Sequence, residues 1–281
     1  MSTESNPGNP PSAPAATPAA APDADPAVAG RLRMVLVGTQ HPGNIGSAAR
    51  AMKTMGLSRL VLVAPERAPD AESRALAAGA DDVLAGAVTA GTLAEAVADC
   101  RLVLGCTARS RRVPLDELAP GEAAARTVAA AADGADAALV FGRERTGLDN
   151  DELQLCHAAV HIPADPAYSS LNLAAAVQVL AYETRLALLA GTPGQAASGE
   201  GAVEPGQATH AELEGFFAQL AETLEAIDFH KGRAPASALR KLRRLYLRAA
   251  PTAAEVRLLR GVLADAQRMA RLAGQNPPEL R

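Results

Sequence analysis

Cysteine is scarce in this 281-residue sequence, and it contains no long apolar run. The three cysteines, Cys100, Cys106 and Cys156, are an odd number without a CxxC pair, which is typical of a reducing compartment rather than of a disulfide framework. No stretch reaches the roughly 18 apolar residues of a membrane span. The first residues also lack the basic start and apolar core of a signal peptide. We therefore expect a cytoplasmic protein that does not bind membranes.

Residues 1–30 contain no lysine, arginine or aromatic residue, and seven of them are proline. Such a segment cannot bury enough apolar surface to offset the entropy lost on ordering, so we predict a disordered tail. A transit peptide would be rich in arginine, which argues against that alternative.

In residues 31–190, short apolar runs alternate with helical segments, which predicts a parallel sheet covered on both faces. The predicted strands are 33–37, 59–63, 101–105, 137–141 and 158–162. The predicted helices are 45–55, 71–78, 93–98, 121–131, 150–156 and 171–189. The last of these helices is almost wholly apolar at its start, so it must be buried by the sheet or by a second subunit.

Residues 191–209 are rich in glycine and predict a flexible linker. Residues 210–281 predict a small helical unit, with helices at 211–227, 237–248 and 252–272. Between Lys231 and Arg271, eleven Lys and Arg stand against two acidic residues, a net charge of plus nine in a chain of net charge −4. This segregation indicates that the C-terminal end contacts a polyanion. The aromatic residues Phe216, Phe217 and Tyr246 are expected in its core.

The segment GTQHPGNI follows the first strand and has the glycines of a phosphate-binding loop, but Asn44 stands where that loop has its lysine. The absent lysine argues against a nucleoside triphosphatase, and no GxGxxG dinucleotide fingerprint is present. On the helix that follows, Asn44, Ser47 and Arg50 are three residues apart and share one face. A tight turn made only for packing would not explain Arg50.

Polar or glycine-rich segments follow three further strands, where ligands of open parallel sheets bind. LVFGRERTGL holds Gly142, Arg143 and Glu144, although Arg143 and Glu144 could simply form an exposed pair. YSSLNLAAA holds Ser169, Ser170 and Asn172, where either serine could also cap the next helix. LVLGCTARSRR supplies Thr107 and arginines that could be ordinary surface residues.

His157 and His161 share a strand face, but Cys156 would point the other way and no fourth ligand is offered. We therefore expect no metal.

The motifs GNIGSAARAM, LVFGRERTGL and YSSLNLAAAV, in this order at three strand ends, resemble the SpoU branch of the SPOUT family of RNA 2'-O-ribose methyltransferases. The resemblance spans about residues 33–189. The C-terminal LRKLRRLYLRA resembles the helical extension of the family's bacterial tRNA enzymes. The resemblance implies a parallel sheet with a C-terminal trefoil knot, S-adenosyl-L-methionine as cofactor, and a homodimer. It also implies methylation of a cytidine or uridine in the tRNA anticodon loop, at position thirty-two.

The resemblance further implies roles for single residues. Arg50 corresponds to the catalytic arginine, with Asn44 and Ser170 around the ribose; because a guanidinium stays protonated, we expect Arg50 to hold a phosphate or the developing alkoxide. The implied cofactor site consists of Cys106, Thr107, Ala108, Gly142, Arg143, Glu144, Ile162, Ser169, Ser170, Leu171 and Asn172. The basic residues expected to bind RNA are Arg109, Arg111, Arg240, Lys241, Arg243, Arg244 and Arg248.

Two other functions fit the same motifs. One is a ribosomal RNA 2'-O-methyltransferase, which usually carries a different accessory domain. The other is an RNA-binding protein that keeps the fold without the reaction.

Overall fold

The computed structural model describes residues 24–108, 115–191, 206–231 and 234–275, and a parallel sheet of seven strands lies at the centre of this part of the chain. The strands are β1 Leu32–Val37, β2 Arg59–Val63, β3 Val88–Ala90, β4 Leu102–Cys106, β5 Glu117–Leu118, β6 Ala137–Phe141 and β7 Ala158–Val160. Their order is β3-β2-β1-β6-β4-β7-β5, and every neighbouring pair is parallel. The parallel sheet predicted from the sequence is confirmed.

Helices cover both faces of the sheet. The helices of this domain are α1 Pro26–Ala29, α2 Pro42–Thr54, α3 Ala71–Ala77, α4 Asp81–Ala85, α5 Leu93–Ala96, α6 Pro120–Ala132, α7 Asn150–Gln154 and α8 Leu173–Leu189. Alternate residues of each strand point to opposite faces, so Met34 packs with α2, α6 and α8 while Val35 packs with α5 and α7. This two-sided burial is why the central strands read as continuous apolar runs.

Two strands were not predicted, and both lie on edges of the sheet. β3 has three residues and β5 has two, too few to show a periodic pattern. Val88 in β3 is 60% exposed, so this edge also lacks the apolar signal of a buried strand. Short strands of this kind are common at sheet edges, where they limit pairing with other chains.

Only the ends of the predicted tail and linker fall within the described residues. Residues 1–23 and 192–205 lie outside the described residues. The end of the tail is helical, because Asp25 caps α1 by accepting a hydrogen bond from the Ala27 N–H and Ala29 packs into the core. The end of the linker is also packed: Ala208 is fully buried and its N–H donates to the Pro251 carbonyl.

Helix α8 buries only one of its faces within this chain. Val177, Leu180 and Ala181 lie in the core, whereas Tyr182 and Leu186 are 49% and 44% exposed. The helix was expected to be buried by the sheet or by a second subunit. The face with Val177, Leu180 and Ala181 is buried in the core of the sheet domain.

The C-terminal extension consists of α9 His210–Ala226, α10 Pro235–Ala249 and α11 Ala253–Gln275. Its core contains Phe216, Phe217 and Tyr246, with the Phe216 and Tyr246 rings 4.8 Å apart in an edge-on arrangement. The expected core role of these aromatic residues is therefore confirmed. The extension is attached to the sheet domain through its first turn, because the His210 and Ala211 N–H groups donate to the Cys100 and Ala98 carbonyls.

Two further expectations concern the whole chain. Among the described helices, none combines the length and apolar character required to cross a membrane. The trefoil knot stays a prediction, as does the cytoplasmic location.

Candidate active site at the carboxyl ends of the strands

A cavity of about 450 Å³ opens beyond the carboxyl ends of β4, β6 and β7. Its volume lies within the usual range for small-molecule sites. Three loops and the start of α8 line it: residues 106–108 after β4, residues 141–147 after β6, Ile162 and residues 169–171 after β7, and Leu173 and Ala176 of α8. All but one of the residues that the family resemblance assigns to the cofactor line this cavity. The exception is Asn172.

The loop after β6 is tight, and glycine is required at Gly142. A Cβ atom there would lie 2.1 Å from the backbone nitrogen of Leu148, which no side chain could accommodate. The loop closes through the Gly147 N–H, which donates to the Arg143 carbonyl over 2.8 Å. The Arg143 guanidinium donates to both carboxylate oxygens of Glu152 at 3.0 Å. The alternative exposed pair of Arg143 with Glu144 is therefore not formed.

The Glu144 carboxylate instead faces the start of α2. It accepts hydrogen bonds from the N–H groups of Gln40 and His41, at 3.0 and 3.2 Å, and from the Asn44 side-chain amide at 2.9 Å. Burial tends to raise the pKa of Glu144, but these hydrogen bonds outweigh it and hold the pKa below its usual value. The group is thus a carboxylate at neutral pH, and it fixes the turn that precedes α2.

Asn172 connects the same network to α8. Its side-chain amide donates to the Asn44 side-chain oxygen at 3.0 Å, while its own oxygen accepts from the N–H groups of Ala174 and Ala175. Asn172 is therefore the N-cap of α8, and neither serine has that role. Ser169 and Ser170 line the cavity instead.

Arg50 lies farther along α2, on the face that carries Asn44 and Ser47. The two neighbours are half-buried and Arg50 is exposed. Six residues of helix separate Arg50 from Asn44, about 9 Å along the axis, and Arg50 does not line the cavity. Its guanidinium makes no hydrogen bond or ion pair with any residue that the structure describes. A charged group is therefore presented to whatever contacts this face.

The basic residues of α10 fall into two groups. Arg240, Lys241 and Arg248 are exposed and, within the described ranges, have no ion-pair partner. Arg243 is different: its side chain is 15% exposed, pairs with Glu214, donates to the Gln154 carbonyl at 2.8 Å and lies over the Phe217 ring. Arg244 pairs with Asp116 of the sheet domain at 2.6 Å. Arg243 and Arg244 therefore attach the extension to the sheet domain. Arg109 and Arg111 lie outside the described residues.

Residues 31–182 match the SpoU rRNA Methylase family, a range that includes every loop of the cavity and most of α8. The chain belongs to this family. Residues 211–275 of this SpoU-family protein match the TrmJ C-terminal domain of tRNA methyltransferases, which covers the three helices of the extension. Both parts of the resemblance seen in the motifs are thus confirmed.

Full-length relatives of this SpoU-family chain carry both parts. It is 52% identical over 235 residues to the tRNA (cytidine/uridine-2'-O-)-methyltransferase TrmJ of Salmonella typhimurium, covering 83% of this chain and 95% of that one. It is 49% identical over 245 residues to the tRNA (cytidine/uridine/adenosine-2'-O-)-methyltransferase TrmJ of Pseudomonas aeruginosa, covering 86% and 95%. The crystal structure of TrmJ from Z. mobilis superposes with a TM-score of 0.69 at 35% identity, covering 83% of this chain and 97% of that one.

Six cavity residues of this SpoU-family protein were not predicted: Phe141, Arg145, Thr146, Gly147, Leu173 and Ala176. Four of them flank predicted residues in the loop after β6, so extending that motif along its whole length would have found them. Leu173 and Ala176 belong to the first turn of α8 and read as ordinary core positions. Arg145 is exposed at the cavity, and no partner for it occurs in the described part of the chain.

Cys106 and His157 are in positions that favour neither a nucleophile nor a metal ligand. Burial raises the pKa of Cys106, which lines the cavity, to about 12, so its thiol stays protonated and is a poor nucleophile. His157 is half-buried, and its Nδ1 accepts from the Val103 N–H at 3.1 Å. In the ranges that the structure describes, no three His, Cys, Asp or Glu side chains are placed to hold a metal ion.

Proposed function

We propose that this protein transfers a methyl group to the ribose 2'-oxygen of a cytidine or uridine in the anticodon loop of tRNA, at position thirty-two. The observation that carries the proposal is a cavity lined by two of the three family motifs and by the loop after β4. The remaining motif lies beside it on α2, where Asn44 is hydrogen-bonded to Glu144 and Arg50 is exposed. This arrangement occurs in a chain about half identical, over most of its length, to enzymes named for this activity. One of these names adds adenosine, so adenosine is a third base to be tested.

The cavity fits S-adenosyl-L-methionine as the methyl donor. Ile162, Leu171 and Leu173 give it an apolar wall suited to an adenine ring, while Glu144 and Ser170 add polar groups suited to the ribose or amino-acid part. When bound, this cofactor supplies an electrophilic methyl group on a positively charged sulfur. The chain's own task is then to hold the ribose hydroxyl in line and to stabilise the charge that develops on its oxygen.

We assign these tasks to residues on two elements. The Arg50 guanidinium binds the phosphate next to the target ribose or the developing alkoxide, because it is permanently charged and has no competing ion pair among the described residues. Asn44 and Ser170 orient the ribose. Asn44 is suited to this because Glu144 and Asn172 hold its amide on both sides. This division leaves the cofactor on the three loops and the substrate on α2.

The extension binds the tRNA backbone through the exposed Arg240, Lys241 and Arg248. These residues belong to segment 231–271, which has a net charge of plus nine in a chain of net charge −4. Phosphate contacts of this kind supply most of the affinity of non-specific nucleic-acid binding. Arg243 and Arg244 support the surface indirectly, by holding α10 against the sheet domain.

The test is transfer of labelled methyl from S-adenosyl-L-methionine to unmodified tRNA, with mass mapping of the modified nucleotide. Wild type is expected to modify the anticodon loop, and Arg50→Ala to lose at least about 100-fold in rate, as when one oxyanion donor is removed. Arg50→Lys is expected to lose at least about 10-fold, because a lysine cannot reproduce bidentate geometry. Arg31→Ala, which removes a half-exposed arginine near Asp136 at the opposite end of the sheet, is the matched control.

Each alternative function gives a different result in this assay. Methylation of ribosomal RNA but not of tRNA would identify the ribosomal enzyme, and binding of tRNA without transfer would identify a non-catalytic RNA-binding protein. Near-full activity of Arg50→Lys would contradict the bidentate role assigned to Arg50.

We extend the proposal to a homodimer in which a second copy covers the outer face of α8. Tyr182 and Leu186 are one turn apart on that face and exposed, although the helix is rich in apolar residues. Sedimentation equilibrium is expected to give the mass of a dimer for wild type and of a monomer for Leu186→Glu. Leu258→Glu, at an exposed leucine of α11, should remain dimeric. A monomeric wild type would exclude this assembly.

A further inference from the structure

We propose that Tyr168 is a stacking platform for a nucleobase of the substrate RNA, and this inference rests on the proposed function. The chain has only seven aromatic residues, and Tyr168 is the most exposed of them, with 84% of its surface accessible. Its ring does not belong to the core of the described residues, so it is available for a contact outside this chain.

Tyr168 adjoins the cavity along the chain. It directly precedes Ser169 and Ser170, which line the cavity. It is four residues before Asn172, which caps α8 and holds Asn44. The ring is therefore on the loop that joins the proposed cofactor site to the proposed ribose site, where bases next to the target nucleotide would pass.

The loop holds the tyrosine backbone in a defined position. Asp165 accepts two hydrogen bonds, one from the Ala167 N–H to its side chain at 2.7 Å and one from the Tyr168 N–H to its carbonyl at 2.9 Å. A turn fixed in this way presents the ring without requiring the loop to order when RNA binds, which reduces the entropic cost of the contact.

The chemistry of the surroundings favours a nucleotide over another aromatic ligand. Arg145 is exposed at the same cavity and Arg50 on the neighbouring helix, and neither has an ion-pair partner in the described part of the chain. Guanidinium groups on the neighbouring loop and helix provide the positive charge that the phosphates next to a stacked base require. Proteins recognise unpaired RNA, such as a tRNA loop, largely by stacking bases on aromatic side chains.

The first experiment compares methyl transfer to tRNA by wild type, Tyr168→Phe, Tyr168→Leu and Tyr168→Ala. The phenylalanine variant keeps an aromatic face and is expected to keep kcat/KM within about twofold. The leucine and alanine variants lose the stack and are expected to lose about 5- to 150-fold, the range of one base–aromatic contact. An exposed side chain of this kind can be replaced without unfolding the protein.

The second experiment uses the absence of tryptophan from the sequence. Tyr168→Trp places a single fluorophore at the proposed contact, and stacking on a base should quench it when tRNA is added. Val88→Trp, on the exposed edge strand at the far side of the sheet, is the matched control and corrects for absorption by the RNA. Emission of the free Tyr168→Trp protein should have the wavelength of an exposed indole.

Three results would overturn the inference. The first is a Tyr168→Ala variant as active as wild type. The second is an indole at position 168 quenched no more than the indole at position 88. The third is blue-shifted emission before RNA is added, which would mean that a second protomer covers the ring. If tRNA quenched the indole of Tyr168→Trp although wild type transferred no methyl group, the proposed function would be contradicted and the contact would stand.

Discussion

Glu144 joins three parts of the site through a single carboxylate. Glu144 belongs to the loop after β6, and its carboxylate accepts hydrogen bonds from two backbone N–H groups that precede α2. It also accepts one from the Asn44 side-chain amide, and the Asn44 side-chain oxygen accepts one from Asn172, the N-cap of α8. One side chain therefore sets the relative position of the proposed cofactor loop and the proposed ribose-binding helix.

Replacing Glu144 with glutamine should loosen this arrangement. Glutamine offers one oxygen where the carboxylate has two, so its NH₂ group would face either the Gln40 N–H at the Oε2 position or the His41 and Asn44 donors at the Oε1 position. Leaving buried donors without acceptors costs about 1–3 kcal/mol, so we expect a lower free energy of unfolding and a lower kcat for methyl transfer. Thermal unfolding and steady-state kinetics measure the two effects.

Glu66→Gln is the matched control for this substitution. Glu66 is exposed, and its carboxylate accepts a single side-chain hydrogen bond, from Gln40. Its loss should change stability by less than about 0.5 kcal/mol. Equal effects of the two variants would mean that the network around Glu144 has no special importance.

The sequence predicts local relations between residues better than distant ones. The shared face of Asn44, Ser47 and Arg50 followed from their spacing alone, and the structure has it. The partner of Asn44 is Glu144, about a hundred positions later, and no periodic pattern connects them. Charge alone suggested the neighbouring Arg143 as the partner of Glu144, whereas Arg143 pairs with Glu152 in the next helix.

At the scale of elements, α10 both binds the sheet domain and presents charge to solvent. Arg243→Ala is expected to destabilise the protein by roughly 2 kcal/mol, because it leaves Glu214 half-buried without its partner and removes the cation from the Phe217 ring. Differential scanning calorimetry should show a lower Tm. It should also show a separate, earlier transition if the extension detaches before the sheet domain unfolds.

Arg248→Ala, on the same helix, is the matched control, and we expect it to affect tRNA binding but not stability. Arg248 is exposed without an ion-pair partner in the described residues, so its removal should leave Tm unchanged. It should weaken tRNA binding and reduce the slope of log Kobs against log salt by about 0.7 to 0.9, the value of one phosphate contact. A lower Tm for Arg248→Ala, or an unchanged salt slope, would contradict this division of α10.

The same scale shows what limits prediction of the sheet. Buried central strands have continuous apolar runs, and all five of the predicted strands exist with ends shifted by at most two residues. The unpredicted β3 and β5 are defined by hydrogen bonds to a neighbour rather than by their own composition. The observed helix ends also differ from the predicted ones. Helix α8 begins at Leu173 because the Asn172 side chain accepts hydrogen bonds from the first N–H groups, and composition does not show such contacts.

For the whole molecule, the junction between sheet domain and extension contains two histidines, the half-buried His157 and the buried His210. His157 accepts from Val103 within the sheet, and His210 begins α9, 1% exposed, with its ring near Glu214 and no hydrogen bond to described residues. Arg243 lies close to both. The composition predicted two units with a flexible linker, but it could not predict that the second unit is packed on the first through neutral imidazoles.

This junction makes stability depend on pH. Burial lowers the pKa of His157 to about 4, with the neighbouring His210 and Arg243 acting in the same direction, and burial also lowers the pKa of His210. Both rings are neutral in the folded protein, whereas the unfolded chain binds a proton near its ordinary pKa of about 6.5. The contribution of His157 is therefore complete above pH 6.5 and is lost as the pH falls toward 4, and the contribution of His210 changes in the same direction.

We expect the free energy of unfolding to fall by roughly 1 to 2 kcal/mol for His157 alone between pH 7.5 and pH 5.5. Urea unfolding at several pH values measures it, in a range above the titration of ordinary carboxylates. His210→Phe removes one titrating ring while keeping an aromatic volume, so its profile should be flatter than that of wild type. His41→Gln, at an exposed histidine, should leave the profile unchanged. If His210→Phe kept the full pH dependence, His210 would have to be accessible to protons in the folded state, and the two units would not be joined as tightly as the buried contact indicates.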